Sequence, residues 1–393
     1  MFERKLVGQL FQRIIEARRF MQIVIGPRQT GKTTAVTQAI KKIKLPTYFI
    51  SADDAAALSR EWLSNEWERA RMLQKQKNQD TVLVIDEIQK ISAWSSLVKQ
   101  LWDEDSHNGI PLKVILTGSS ALLLQKGLAE SLMGRFEVLY SPHWNFSECK
   151  KAFKFTLEDF IFFGGYPGAA VLKNDEERWA RYIGSSIVEP AISQDILLME
   201  EIRKPALLRS LFKLGATYSA RELSYTKIMG QLQDAGNAVT LAHYLNVLEK
   251  ANILCGLQKF SLNKIKSRQS SPRFMVFDTS LMTYADGASR KRLLENSEER
   301  GHLVESAVGA YLLARGKEEG FEVFWWRELS NEVDFVLQKG QKITAIEIKS
   351  GRLKKSAGSL EFKKIYPQAL SLTVGSINLG LEDFLLGTFD LFK

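Results

Sequence analysis

Eight consecutive residues, Gly26-Pro27-Arg28-Gln29-Thr30-Gly31-Lys32-Thr33, constrain this chain more than any other feature. They fit the pattern GxxxxGK[ST], after the apolar run Met21-Gln22-Ile23-Val24-Ile25 and before a helix-like segment over 33–44. A strand that feeds such a loop into a helix turns several backbone N–H groups toward one point, where the helix N-terminus adds positive partial charge. The Lys32 ammonium is then placed for β- and γ-phosphate oxygens and the Thr33 hydroxyl for Mg²⁺, so residues 26–33 with Thr34 are expected to cradle ATP.

At 393 residues the chain is expected to make two to four domains, at ~100–200 residues each. Lys and Arg number 54 against 45 Asp and Glu, a net charge of +9, which fits an anionic partner or a solvated basic face. The most apolar stretch, 160–172, carries Pro167 and three glycines and falls short of the ~20 residues of a membrane span. It is expected to be a buried turn between helices, with no membrane partner. Cys149 and Cys255 stand far apart, and the first 19 residues alternate charged and apolar side chains, so a reducing cytoplasmic setting without disulfides is expected.

Apolar runs at 47–51, 81–86, 112–117 and 137–140, separated by helix-length segments, have the order of a parallel α/β sheet. The run Val82-Leu83-Val84-Ile85 delivers Asp86 and Glu87 to a strand end. Asp86 is expected to hold Mg²⁺ through water and Glu87 to orient or deprotonate the attacking water. The next strand ends in Thr117-Gly118-Ser119-Ser120, where Thr117, with Ser119 in reserve, is the expected sensor of the γ-phosphate or its water. Arg135, in Leu132-Met133-Gly134-Arg135-Phe136, is suited either to transferring phosphate charge, in its own subunit or a neighbour's, or to a surface salt bridge.

Taken together, the phosphate loop, Ile85-Asp86-Glu87-Ile88-Gln89, Thr117-Gly118-Ser119-Ser120 and Gly134-Arg135 resemble the bacterial and archaeal AAA-superfamily ATPases, of the archaeal-type, STAND-like group, that carry a C-terminal domain of uncharacterised function. The resemblance implies a P-loop ATPase domain over 1–145, a helical lid or linker over 146–205, a winged helix over 206–272 and a nuclease-like domain over 273–393. It also implies a homo-oligomer, with a ring of six as the expectation.

In the middle of the chain the residues alone support helices at 150–215. A helix from Ser219 through Leu232, a turn at Ala235-Gly236-Asn237, a helix over 240–250 and a strand at 253–257 describe a winged helix. Asn237, Thr240, His243, Tyr244 and Asn246 would face DNA, and a ribbon tip with Lys259, Lys264, Lys266, Arg268 and Arg273 would follow phosphates. A packing or protein-binding role is the alternative.

Near the C-terminus, a helix over 300–315 carries Glu305, and three strands follow, containing Glu332 and Asp334 in the second and Glu347-Ile348-Lys349 in the third. Helix, Asp, then Glu-x-Lys is the PD-(D/E)xK nuclease arrangement, closest to resolvase-like members. Asp334 and Glu347, with Glu305 and the Ile348 carbonyl, would hold one or two divalent cations, and Lys349 would position water or steady charge on phosphate. Arg352, Lys354 and Lys355 extend it as a basic tail. The fold is also kept for DNA binding alone. The overall expectation is an α/β, Mg²⁺-dependent ATPase that moves, melts or remodels duplex or branched DNA, with cleavage coupled to it. A nucleotide switch that binds a protein partner is the alternative.

Overall fold

The computed structural model describes residues 2–53, 59–118, 132–197, 201–232, 237–263, 270–349, 357–387 and 389–393. Two compact units divide the chain, Met1–Pro142 and His143–Lys393.

In the first unit, strands β1 (Met21–Ile25), β2 (Thr47–Ser51), β3 (Thr81–Asp86), β4 (Leu112–Gly118) and β5 (Phe136–Tyr140) form one parallel sheet in the order β2-β3-β4-β1-β5. Strand β3 is buried along its whole length and so is β4, as expected of strands covered on both faces. Alternation sorts their side chains. Val82, Val84 and Ile115 join helices α1 (Lys5–Ile15) and α2 (Lys32–Lys42) in one core. Leu83, Ile85 and Leu116 join α3 (Arg60–Lys77) and α4 (Trp94–His107) in the other. The helix expected over 33–44 therefore ends two residues early, because Ile43 is extended. The sheet order brings the C-terminal ends of β1, β3 and β4 side by side, since Ile25 pairs with Gly118 and Ile85 with Leu116. Ligands of open α/β sheets bind at that edge, where the strand order reverses.

The second unit begins with helices α5 (Phe146–Phe153), α6 (Leu157–Phe163), α7 (Pro167–Ala170) and α8 (Glu176–Tyr182), continued by π-helical turns at Ile183–Val188 and Ala191–Ile196. The apolar stretch read as a turn is instead the end of α6, a Gly164-Gly165 link and the short α7. Helices α9 (Pro205–Thr217), α10 (Tyr225–Gln231) and α11 (Ala238–Lys250) precede an antiparallel ribbon, β6 (Leu254–Leu257) and β7 (Arg273–Val276).

Two expectations are corrected in this region. The helix expected from Ser219 starts at Tyr225, capped by Ser224, because the preceding backbone is captured by the ribbon: the Ala220 N–H donates to Phe274 O and the Phe274 N–H to Arg221 O. Arg273 is not an exposed ribbon-tip cation: it opens β7 opposite Leu257 and is only 3% exposed. Lys264, Lys266, Arg268, the Ala235-Gly236 turn, Ser119, Ser120, Arg352, Lys354 and Lys355 lie outside the described residues.

After α12 (Thr279–Asp286) and α13 (Arg290–Glu295), the long α14 (Ser297–Glu319) leads into a four-stranded sheet. Its strands are β8 (Glu322–Glu328), β9 (Asn331–Lys339), β10 (Lys342–Ile348) and β11 (Leu370–Val374), in the order β11-β10-β9-β8. The first three are antiparallel neighbours, while β10 and β11 run parallel through a crossover containing α15 (Ala357–Ile365). A last helix, α16 (Leu381–Leu385), follows. No helix among the described residues is long and apolar enough to cross a membrane.

Candidate functional site

The loop after β1 lies at the edge of the first sheet. Gly26 has no room for a side chain, because a Cβ there would sit 2.0 Å from the Ser141 carbonyl oxygen just beyond β5. The loop is held from behind by Arg4, a buried residue whose guanidinium donates to the carbonyls of Thr30 (3.1 Å) and Pro142 (3.0 Å) and to the Ser141 hydroxyl (3.0 Å). Thr30 adds a bond from its hydroxyl to Pro27 O at 3.0 Å. A single arginine near the chain start carries no motif, so only the tertiary contacts expose its part in shaping the loop.

Lys32 Nζ donates to its own loop carbonyls, Gly26 O at 3.1 Å and Pro27 O at 2.7 Å. An ammonium buried on the concave side of the loop and held by two carbonyls is poised for the negative oxygens of a phosphate. The Thr33 hydroxyl donates to Asp86 Oδ2 at 2.9 Å. Thr117, fully buried at the end of β4, donates through its hydroxyl to Asp86 Oδ1 and accepts the Glu87 N–H at 3.3 Å. Glu87 sits in the left-handed region at φ 54°, and its carboxylate takes the Gln89 amide. The sharp turn after β3 thus places Asp86 toward the loop threonine and separates it from Glu87. Arg28, Gln29 and Thr34 belong to the loop and the first turn of α2.

This donor set fits a nucleotide with a hard cation: one carboxylate and one hydroxyl already in contact, beside a buried ammonium and a loop that excludes side chains. Arg135 is occupied elsewhere, with Nε and Nη2 donating to the two oxygens of Asp103 at 2.6 and 3.0 Å. The pairing holds the Asp103 carboxyl below its ordinary range through that bond, so of the two roles expected of Arg135 the structure displays the ion pair.

Residues 18–150 match the AAA domain family. They form an AAA-type ATPase domain. Beyond it, residues 154–292 and 300–387 match two further families, each a domain of unknown function (DUF8612 and DUF4143). The chain is 25% identical over 339 residues to MJ1544, an uncharacterised protein of Methanocaldococcus jannaschii, spanning 81% of this chain and 72% of that one. Among solved structures it is similar to the Walker-type ATPase PABY2304 of Pyrococcus abyssi, with a TM-score of 0.52 at 16% identity over 73% of this chain and 96% of that chain. That likeness concerns the fold. The ORC1 protein of Aeropyrum pernix, solved in complex with DNA, aligns at a TM-score of 0.31, too low to carry an argument.

The carboxylates expected to form a second centre lie in the C-terminal unit, away from the AAA domain in sequence. Asp334, in the middle of β9, accepts the Ile348 N–H at 2.7 Å. The contact of Ile348 with Asp334 is through its N–H; its carbonyl, expected as a metal ligand, is a separate group. Burial, then the Glu305 charge, pushes Asp334 up to about 7, against that hydrogen bond and Arg273. Glu347, 3% exposed, accepts the Ser359 N–H at 2.7 Å through one oxygen and pairs with Lys349 at 3.2 Å through the other.

Glu305 and Asp334 line one cavity of about 430 Å³ with Arg273 and His302. Glu347 does not line it, and among the described residues no three acidic, His or Cys side chains are grouped to hold a metal ion. The three carboxylates expected to hold a divalent cation are thus not grouped in the described arrangement: Asp334 and Glu347 each accept a backbone N–H, and a buried guanidinium stands beside Asp334.

On α11, Asn237 is the helix cap, accepting the Thr240 N–H at 2.9 Å, and Tyr244 is buried with its hydroxyl accepting the Lys204 N–H at 3.0 Å. Both were expected to face DNA. The periodic spacing that placed them on a helix was sound, but capping and core packing use their polar atoms. His243 and Asn246 are exposed.

Proposed function

We propose that the chain is a Mg²⁺-dependent ATPase that binds DNA through its C-terminal half and uses nucleotide hydrolysis to remodel, or translocate along, duplex or branched DNA. The observation that carries the ATPase reading is the convergence of the Thr33 and Thr117 hydroxyls on Asp86 beside the phosphate loop, with the Glu87 N–H on Thr117. In this reading Lys32 exchanges its loop carbonyls for phosphate oxygens, Asp86 and Thr33 hold Mg²⁺, and Glu87 orients the attacking water. Thr117 keeps the two carboxylates apart by binding one through its hydroxyl and the other's backbone. Bound Mg²⁺ supplies neutralisation of the phosphate charge.

We read residues 146–205 as a lid or linker, 206–272 as a winged helix and 273–393 as a PD-(D/E)xK-like module. Three helices followed by a two-stranded ribbon support the second, and a helix leading into a β8-β9-β10 meander with a parallel β11 supports the third. The net charge of +9 favours a polyanion, with His243 and Asn246 exposed on α11. With Asp334 and Glu347 each accepting a backbone N–H and Arg273 beside Asp334, the reading gives this module DNA binding ahead of coupled cutting. A homo-oligomer, possible as a hexamer by family resemblance, belongs to the same reading. A nucleotide switch whose winged-helix and nuclease-like modules bind a protein partner in place of DNA is the second reading.

Lys32→Ala tests the assignment of the loop. Turnover of ATP is expected to fall at least about a hundredfold, because a preorganised cation at the transferring phosphate is lost. Binding of duplex DNA at low salt, followed by fluorescence anisotropy, should be unchanged. Full turnover in the variant would remove Lys32 from the site, and DNA binding lost with it would place DNA on the AAA domain.

A further inference from the structure

The cavity beside Asp334 contains carboxylates and guanidinium groups in close company, and one of these cations is unlike the rest. Arg273 is the first residue of β7, is 3% exposed, and ion-pairs with Glu332 through Nη2. Its Nη1 lies 3.4 Å from the Asp334 carbonyl oxygen, and its guanidinium carbon is 5.1 Å from the centre of the Trp325 ring. Its Nε has no hydrogen-bond acceptor among the described residues. Trp325 is fixed in turn by the ribbon, since its indole N–H donates to Leu257 O at 3.1 Å and Phe260 N–H donates to Trp325 O at 2.6 Å. The helical and ribbon segment thus inserts a permanent cation at the edge of the carboxylate pair Glu305 and Asp334.

We propose that Arg273 is the resident cation of this carboxylate centre, so that its guanidinium and a divalent metal ion exclude one another and the folded chain binds no metal there. Buried carboxylates need a compensating positive charge, and a guanidinium, always ionised and weakly hydrated, meets that need without leaving the chain. Arg327, the neighbouring cation, pairs with Glu222 at 2.6 Å and with Glu332, whereas Arg273, besides its own pair with Glu332, reaches the backbone of Asp334 in the cavity that Glu305 and Asp334 line. A divalent ion entering beside Asp334 would face the like charge of Arg273 at short range. The inference concerns the C-terminal centre alone and stands whether or not the AAA domain acts on DNA.

The test is Mn²⁺ binding to the full chain without nucleotide, followed by the electron paramagnetic resonance signal of free Mn²⁺. Wild type is expected to show no Mn²⁺ uptake that Asp334→Asn removes. Arg273→Met should gain one site, at least about tenfold tighter than any in wild type, the scale on which a neighbouring charge alters a carboxylate's affinity for a cation. Adding Asp334→Asn to Arg273→Met should abolish that site, and Arg273→Lys, which keeps the charge, should behave as wild type. A site in wild type that is sensitive to Asp334→Asn and as tight as that of Arg273→Met overturns the proposal, as does a folded Arg273→Met that gains none. Should Arg273→Met fail to fold, the comparison of wild type with Asp334→Asn still decides: a shared absence of Mn²⁺ uptake supports the proposal and an Asp334-dependent site refutes it.

Discussion

Glu87→Gln is expected to lower ATP turnover by about 10²–10⁴, the range for loss of a positioned general base, while ATP binding is largely kept. The backbone bond from residue 87 to Thr117 does not depend on the side chain, and glutamine has the same length as glutamate, so the turn after β3 should persist. Nucleotide affinity from fluorescent ATP titration and steady-state turnover separate the two effects. A variant that turns over ATP at the wild-type rate would show that Glu87 neither orients nor deprotonates the water, and the neighbouring carboxylate, Asp86, would have to be reassigned.

The largest effect on stability is expected at Asp278, which lies outside every motif. Its buried carboxylate caps α12 and accepts the Gly165 N–H at 2.7 Å and the Ser280 N–H at 3.0 Å. Gly164, at φ +70°, must be glycine because a Cβ would meet the Asp278 carboxylate at 1.9 Å. Asp278→Ala leaves two buried N–H groups without acceptors and should cost about 2–5 kcal/mol, read from urea unfolding.

The same residue sets a pH dependence. Burial pushes Asp278 up to about 6 from an ordinary 3.8, despite three hydrogen bonds to it. Between those values the folded chain holds a proton that the unfolded chain has released, so this group's contribution is fully present below pH 3.8 and is lost as pH rises to 6. Wild-type stability should therefore carry a downward slope over that window which Asp278→Ala lacks. An unchanged slope would assign it to another carboxylate.

What could be read from the sequence was whatever lay within one short stretch of chain. The phosphate loop follows β1 directly, Asp86 and Thr117 lie at the ends of β3 and β4 and Glu87 follows Asp86, so strand burial and motif place them at the same sheet edge. The parallel strands were equally plain because both faces are buried and apolar residues run without interruption.

Arg4, Arg273 and Asp278 were not legible, since each acts through partners about 26 to 138 positions away, such as Arg4 with Thr30 and Pro142. Ser219-Ala220-Arg221-Glu222 reads as helix by local propensity, yet its backbone pairs with β7, and tertiary pairing overrides propensity. The C-terminal carboxylates were found at the right elements. Their hydrogen-bond partners were not legible, because alternation on a strand tells which face a side chain takes and not which N–H or guanidinium reaches it.

The account's central claim is tested most directly by ATP turnover of the full chain, titrated at low salt with single-stranded, duplex and four-way DNA in parallel. Turnover should rise severalfold with at least one of these, and the effect should weaken steeply with added salt, as phosphate contacts require. A chain that hydrolyses ATP at a rate no DNA alters, and that binds none of the three, would contradict the DNA-directed reading and leave the protein-partner switch in its place.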